Sequence, residues 1–124
     1  MRLITTMLAL LLASSGAWAE WVKVSEHKDT VFYFDPTTIR KDGNLRRVWE
    51  LQDFKQRIEV VGLSIRSRGE YDCWKERSRT ISIFAHSGPM ATGETLVRSS
   101  DPGEWKVVSP GTPGGSILKL VCSK

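Results

Sequence analysis

Apolar residues fall into two regimes along this chain, one long run at the start and short alternating stretches afterwards. Residues 3–13 are apolar apart from Thr5 and Thr6, Arg2 precedes them, and Ala17 and Ala19 flank Trp18 at the end of the stretch. That order of charge, apolar run and small-residue site predicts a secretory leader cleaved after Ala19. The run falls short of the about 20 apolar residues that a hydrocarbon core demands, so a membrane anchor is the weaker reading. Beyond it, residues 21–24 and 31–34 are rich in β-formers and too short for helices, with a polar break at 26–29 between them. Asp35-Pro36-Thr37-Thr38 reads as a helical turn, with Asp35 as cap, Pro36 at the first helical position and Ile39 returning to the core.

Lys41-Asp42-Gly43-Asn44 supplies the Asp-Gly chemistry of a turn. The strand at 45–55 alternates, with Leu45, Trp49 and Leu51 on one face and Arg46, Glu50 and Gln52 on the other. Arg47 interrupts the apolar row, which places it near the strand end, within reach of water. Residues 58–66 form a further strand with Val61, Leu63 and Ile65 on a common face, and Gly62 marks a bulge within it. Residues 70–75 and 77–86 continue the sheet; in the second, Ile81, Ile83 and Ala85 oppose Thr80, Ser82 and Phe84. Ser87-Gly88-Pro89 breaks the pattern, and 95–99 and 105–108 are two last short strands separated by the turn at 100–103. Thr112 caps a final helix, with Pro113 at its first position and Ile117, Leu120 and Val121 on one face. Gly114 and Gly115 each weaken that helix by roughly 1 kcal/mol relative to alanine, so packing must hold it. The fold class is α+β, mainly β: an antiparallel sheet with a short C-terminal helix packed on it.

Removing 19 of 124 residues leaves 105, a single domain over 20–124. The formal charge of +4 is mild and argues for no nucleic-acid partner. Cys73 and Cys122 are the two cysteines, and in an oxidising compartment an even pair reads first as a disulfide. The alternative, a catalytic thiol, needs a nearby base; there is no CxxC motif, and only His27 and His86 are available.

Eleven of the 18 basic residues lie between Arg40 and Arg79, against seven acidic ones. Arg66 and Arg68, and Arg77 and Arg79, are each spaced by two, so each pair shares a strand face. With Arg46 they form a candidate cationic stripe for sulfated glycans, acidic protein segments or lipopolysaccharide phosphates. A solvated face interleaved with Glu50, Glu70 and Asp72 explains the same pattern without a ligand. Trp49 and Trp105 sit on apolar alternating faces and read as core. Trp74 follows Cys73 among charged neighbours, and is either an exposed binding anchor or packed under a loop. His27 and His86 read as surface or turn-capping residues, with no further ligand at metal-site spacing. No motif of nucleophilic, zinc or phosphate chemistry is present, so the chain reads as a non-enzyme with no cofactor. Exposed edge strands leave a homodimer open.

Three segments carry a family resemblance: FDPTTIRKDGNLRRVWELQDFKQ (34–56), EYDCWKERSRTISIFAHSGPM (70–90) and PGTPGGSILKLVC (110–122). In this order, with the SGPM turn and the paired cysteines, the chain resembles the surface-adhesin protein E family of small exported proteins of Gram-negative bacteria. The resemblance implies about six antiparallel strands, a C-terminal helix and one disulfide. It also implies binding of host extracellular-matrix proteins such as laminin and vitronectin, and of haem. The lipid-attachment cysteine of the name-giving member is not matched here. The expected function is an exported binding module acting through the basic sheet face. The alternatives are a periplasmic haem-type small-ligand protein and an envelope structural or assembly factor.

Overall fold

Seven strands and one helix make up residues 19–123, the part of the chain that the computed structural model describes. The leader expected over 1–19 lies, apart from Ala19, outside the described residues. The strands are β1 (Val22–His27), β2 (Thr30–Asp42), β3 (Leu45–Ile58), β4 (Gly62–Asp72), β5 (Arg77–His86), β6 (Thr95–Ser99) and β7 (Lys106–Val107). They pair antiparallel in chain order from β1 to β6, and β7 pairs with the opening residues of β5, where Arg77 meets Val107. The helix α1 (Pro113–Cys122) follows. This is the mainly β, α+β architecture with a C-terminal helix that the alternation predicts.

Local chemistry sets each connection. Asp42 and Leu45 close the β2–β3 hairpin around Gly43, whose φ of 57° suits a residue without a side chain. The β4–β5 turn is held by Asp72, whose Oδ1 accepts from the backbone N–H of Trp74 (3.1 Å) and of Lys75 (3.0 Å). Thr112 caps α1 by accepting from Gly115 N–H at 3.1 Å, with Pro113 opening the helix.

Phe34, Val48 and Tyr71 from β2, β3 and β4 pack against Ile117 and Val121 of α1, with Val24, Ile39, Leu118 and Cys122 around them. The Cys73–Cys122 disulfide, with Cα atoms 5.7 Å apart, ties the β4–β5 turn to the helix end. Leu120, expected on the packed helix face, is exposed, and Leu118 packs beside the core in its place.

Two expected elements differ. Residues 35–38 form no helical turn: they belong to β2, whose register with β3 slips between Asp35 and Arg40. The capping chemistry survives as a bulge, because Asp35 Oδ1 accepts from Thr37 N–H (3.0 Å) while Thr38 Oγ1 accepts from Trp49 N–H (3.0 Å). The strand expected over 58–66 begins at Gly62 and runs on through Asp72, while Ile58 ends β3. The hairpin between them turns at Val60 (φ 70°) and Gly62 (φ 91°), so Gly62 shapes a turn and not a bulge. A side chain at Gly62 would also collide with the His86 carbonyl.

Candidate binding face

Strand register decides which arginines meet. Leu51, Arg66 and Phe84 are cross-strand partners, as are Trp49, Arg68 and Ser82, then Arg47, Glu70 and Arg79, while Asp72 faces Arg77. Directly paired residues share a face, so Arg47, Arg66, Arg68, Arg77 and Arg79 all project from the side of the sheet opposite α1. Phe84 pairs with Arg98 of β6, which adds a sixth guanidinium to that side. Arg46 is the exception: it lies on the helix-facing side, and its guanidinium donates to the Gly43 and Leu45 carbonyls (2.7 and 2.9 Å). Arg47, read from the sequence as a break in the apolar row, takes its place on the open face.

The arginines are arranged by two devices. Arg66 lies in the angle between Trp49 and Phe84, its guanidinium carbon 4.7 Å from each ring centroid. Arg77 and Arg79 both lie against Trp105, at 4.5 and 4.7 Å. Such contacts contribute about 0.5–1 kcal/mol each at exposed sites and leave the N–H edges of the guanidinium free to bind. The second device is Glu70, 1% exposed, whose two oxygens accept from Arg47 Nε and Arg79 Nε, both at 2.8 Å. Burial opposes ionisation of Glu70, but the hydrogen bonds and charges of the two arginines outweigh it and hold the carboxyl below the usual range. Asp72 accepts from Arg77 Nε at 3.2 Å. Among the described residues Arg68 has no acidic partner within ion-pair distance.

Trp49 and Trp105, expected in the core, are thus the aromatic supports of the arginine face; the core under α1 uses Val48 and Tyr71 instead. Trp74 is 79% exposed in the β4–β5 turn, just before Arg77. Beside Trp49 and Arg66, a shallow pocket of about 190 Å³ is lined also by Trp21, Asp35 and Thr38.

One end of the face is closed. Asp53, Ser64 and His86 form a cross-strand row, and the loop after β5 folds over it. Met90 N–H donates to Asp53 (2.8 Å) and Ala91 N–H to Ser64 Oγ (2.9 Å), with positive φ at both Met90 and Ala91. His86, expected at the surface or in a turn, is only 6% exposed, and neither ring nitrogen finds a hydrogen-bond partner among the described residues. Iron or metal ligation through His86 therefore requires this loop to move. His27 lies exposed on β1, edge-on to Phe32. No group of three or more His, Cys, Asp or Glu among the described residues is placed to hold a metal ion. No described helix is long and apolar enough to cross a membrane.

The fold is that of Haemophilus influenzae protein E. Its crystal form II superposes with a TM-score of 0.68 at 11% sequence identity, covering 86% of this chain and 89% of that one. The selenomethionine form gives 0.69 at 10%, covering 86% and 88%. The structure from the non-typeable organism gives 0.64 at 11%, covering 86% and 77%. No curated protein sequence matches the chain. The family model described as Surface-adhesin protein E matches residues 21–123, and the chain belongs to that family.

Proposed function

We propose that this protein is an exported, non-enzymatic binding module that captures polyanionic ligands through the arginine face. The ligand class is sulfated glycans or acidic segments of host extracellular-matrix proteins, laminin and vitronectin being the first to try. Family membership supports an adhesin-type surface protein. The observation that carries the ligand class is the placement of Arg47, Arg66, Arg68, Arg77, Arg79 and Arg98 on one side of the sheet, against Glu70 and Asp72 in the same rows. Aromatic stacking orders Arg66, Arg77 and Arg79 before a ligand arrives, which reduces the entropy that binding must overcome. Arg68, at the centre of the face and without an acidic partner, is the natural first contact.

The test is binding of the purified, oxidised protein to heparin, laminin and vitronectin at two salt concentrations. Saturable binding that weakens with salt, and weakens at least tenfold in Arg68→Glu, supports the reading. Arg68→Glu is preferred to serine replacement of the whole stripe, because Arg79 and Arg77 are also structural partners of Glu70 and Asp72. Absence of binding to all three would leave an envelope structural role as the better account.

A further inference from the structure

Asp35 is a buried carboxylate that the binding face leaves unexplained. It is 3% exposed, and among the described residues no Lys or Arg lies within ion-pair distance of it. Three donors reach it. Thr37 supplies its N–H (3.0 Å) and hydroxyl (2.6 Å) to Oδ1, and the backbone nitrogen of Glu20 donates to Oδ2 at 3.1 Å. A buried carboxylate held only by neutral donors is costly, and its natural complement is a cation.

The residue that reaches Oδ2 is the one that follows the expected leader. Cleavage after Ala19 adds water across the Ala19–Glu20 amide: hydroxyl goes to the Ala19 carbonyl carbon and the C–N bond breaks. The Glu20 nitrogen keeps its hydrogen, takes one from water and a further proton from solvent, and becomes an α-ammonium. That nitrogen already lies at hydrogen-bonding distance from Asp35, so the charge arises in place. We propose that Asp35 is the receptor for the mature amino terminus, so that leader removal by a small-residue-specific peptidase creates a Glu20–Asp35 ion pair. The pair locks the start of the edge strand β1 onto the β2 bulge, beside Trp21 and Trp49 at the rim of the open face. It completes the folded domain only after processing. The inference rests on the export reading but not on any ligand, so its failure is separable from failure of the binding proposal.

Sequencing and intact mass of the protein recovered after export come first: a free α-amine at Glu20 is required, and a different first residue or a blocked amine overturns the proposal. The mature chain and the same chain extended by Ala19 are then compared, each with Asp35 and with Asp35→Asn. The expected result at pH 7 is a Tm loss from Asp35→Asn that is larger in the mature chain by roughly 4–8 °C, the shift that one such interaction produces in a domain this size. Pairing raises the pKa of the amine above its ordinary value of about 8, so the difference is complete below that pH and disappears as pH rises through the raised value. An equal loss in both chains would mean that Asp35 serves only the Thr37 turn, and would overturn the pair. Should Asp35→Asn fail to fold, acylation of the wild-type α-amine at pH 7 decides: slower reaction folded than unfolded supports the pair, and equal rates reject it.

Discussion

The Tyr71 hydroxyl donates to Glu50 on the helix-facing side of the sheet, and the other oxygen of that carboxyl lies over Gly69, where a side chain would collide with it. Desolvation raises the Glu50 pKa from 4.5 to about 7, with the Tyr71 hydrogen bond opposing it. The folded state therefore binds this proton more tightly than the unfolded one. The resulting stabilisation is complete below about 4.5, the unfolded value, and is lost as pH rises through about 7. Glu50→Gln keeps an acceptor for Tyr71 and removes the ionisation. It is expected to add about 3 kcal/mol at pH 8 and almost nothing at pH 4, read from urea unfolding at both values.

Glu70 separates stability from affinity. Glu70→Gln leaves Arg47 and Arg79 without their shared counter-ion, and at pH 7 the expected loss is about 1–3 kcal/mol. Both guanidiniums are partly exposed and remain hydrated after the change. The face gains one net positive charge, so heparin affinity at low salt should rise while Tm falls. A parallel fall in both would show that Glu70 serves binding by ordering the arginines and that their net charge matters less.

Much of this architecture was legible in the residues. Asp42-Gly43 marked its hairpin, Thr112-Pro113 marked the helix start, and the even cysteine pair marked the disulfide, because in each case local chemistry decides local structure. The open face was less legible. Alternation along β3 sets Trp49 and Leu51 on one face and Val48 among Arg46, Glu50 and Gln52 on the other, so the pattern favours the open face as core, and only the docking of α1 on Val48 and Phe34 decides otherwise. The spacing of Arg66 with Arg68 and of Arg77 with Arg79 gave the shared strand faces. Glu70 as the bridge between Arg47 and Arg79 depends on register, which single-strand patterns do not encode. The β3–β4 connection was placed a few residues early, between 55 and 58, because Glu59-Val60-Val61 contains no turn-forming residue; Gly62, just beyond, was the available signal. His86 was misplaced because burial there comes from a loop folding back, an event without periodicity.

Reduction of Cys73–Cys122 should act through α1. The bridge spans a sequence separation of 49, and a loop of that length contributes about 4 kcal/mol by chain-entropy arithmetic. A ten-residue helix with Gly114 and Gly115 in its first turn is not stable alone. Replacing both cysteines by serine is expected to lose about 3–4 kcal/mol in urea unfolding. Proteolysis should then cut first in the segment after β7, as α1 leaves the sheet and exposes Phe34 and Val48. Cuts appearing first in the β2–β3 hairpin would contradict this order of release.

His86 and Glu50 should give the protein two opposed pH dependences. Burial lowers the His86 pKa first, and the Arg66 charge lowers it further, so the unfolded chain takes this proton more readily than the folded one. Stability from neutral His86 is complete above about 6.5 and falls as pH drops below it. Glu50 has the reverse slope between about 4.5 and 7, so the two oppose one another and the wild-type urea midpoint should change less with pH over that range than in either single variant. His86→Gln is expected to become more stable as pH falls through that range, Glu50→Gln less stable, and the double variant level. Protonation of His86 also calls for water, and water reaches it only if the loop carrying Met90 and Ala91 lifts from Asp53 and Ser64. The Met90 and Ala91 amides, held at positive φ by those two side chains, should therefore lose hydrogen-exchange protection below pH 6 while the β3 and β4 amides keep theirs. Uniform loss of protection across the sheet would place the pH response in global unfolding and remove the loop from the account.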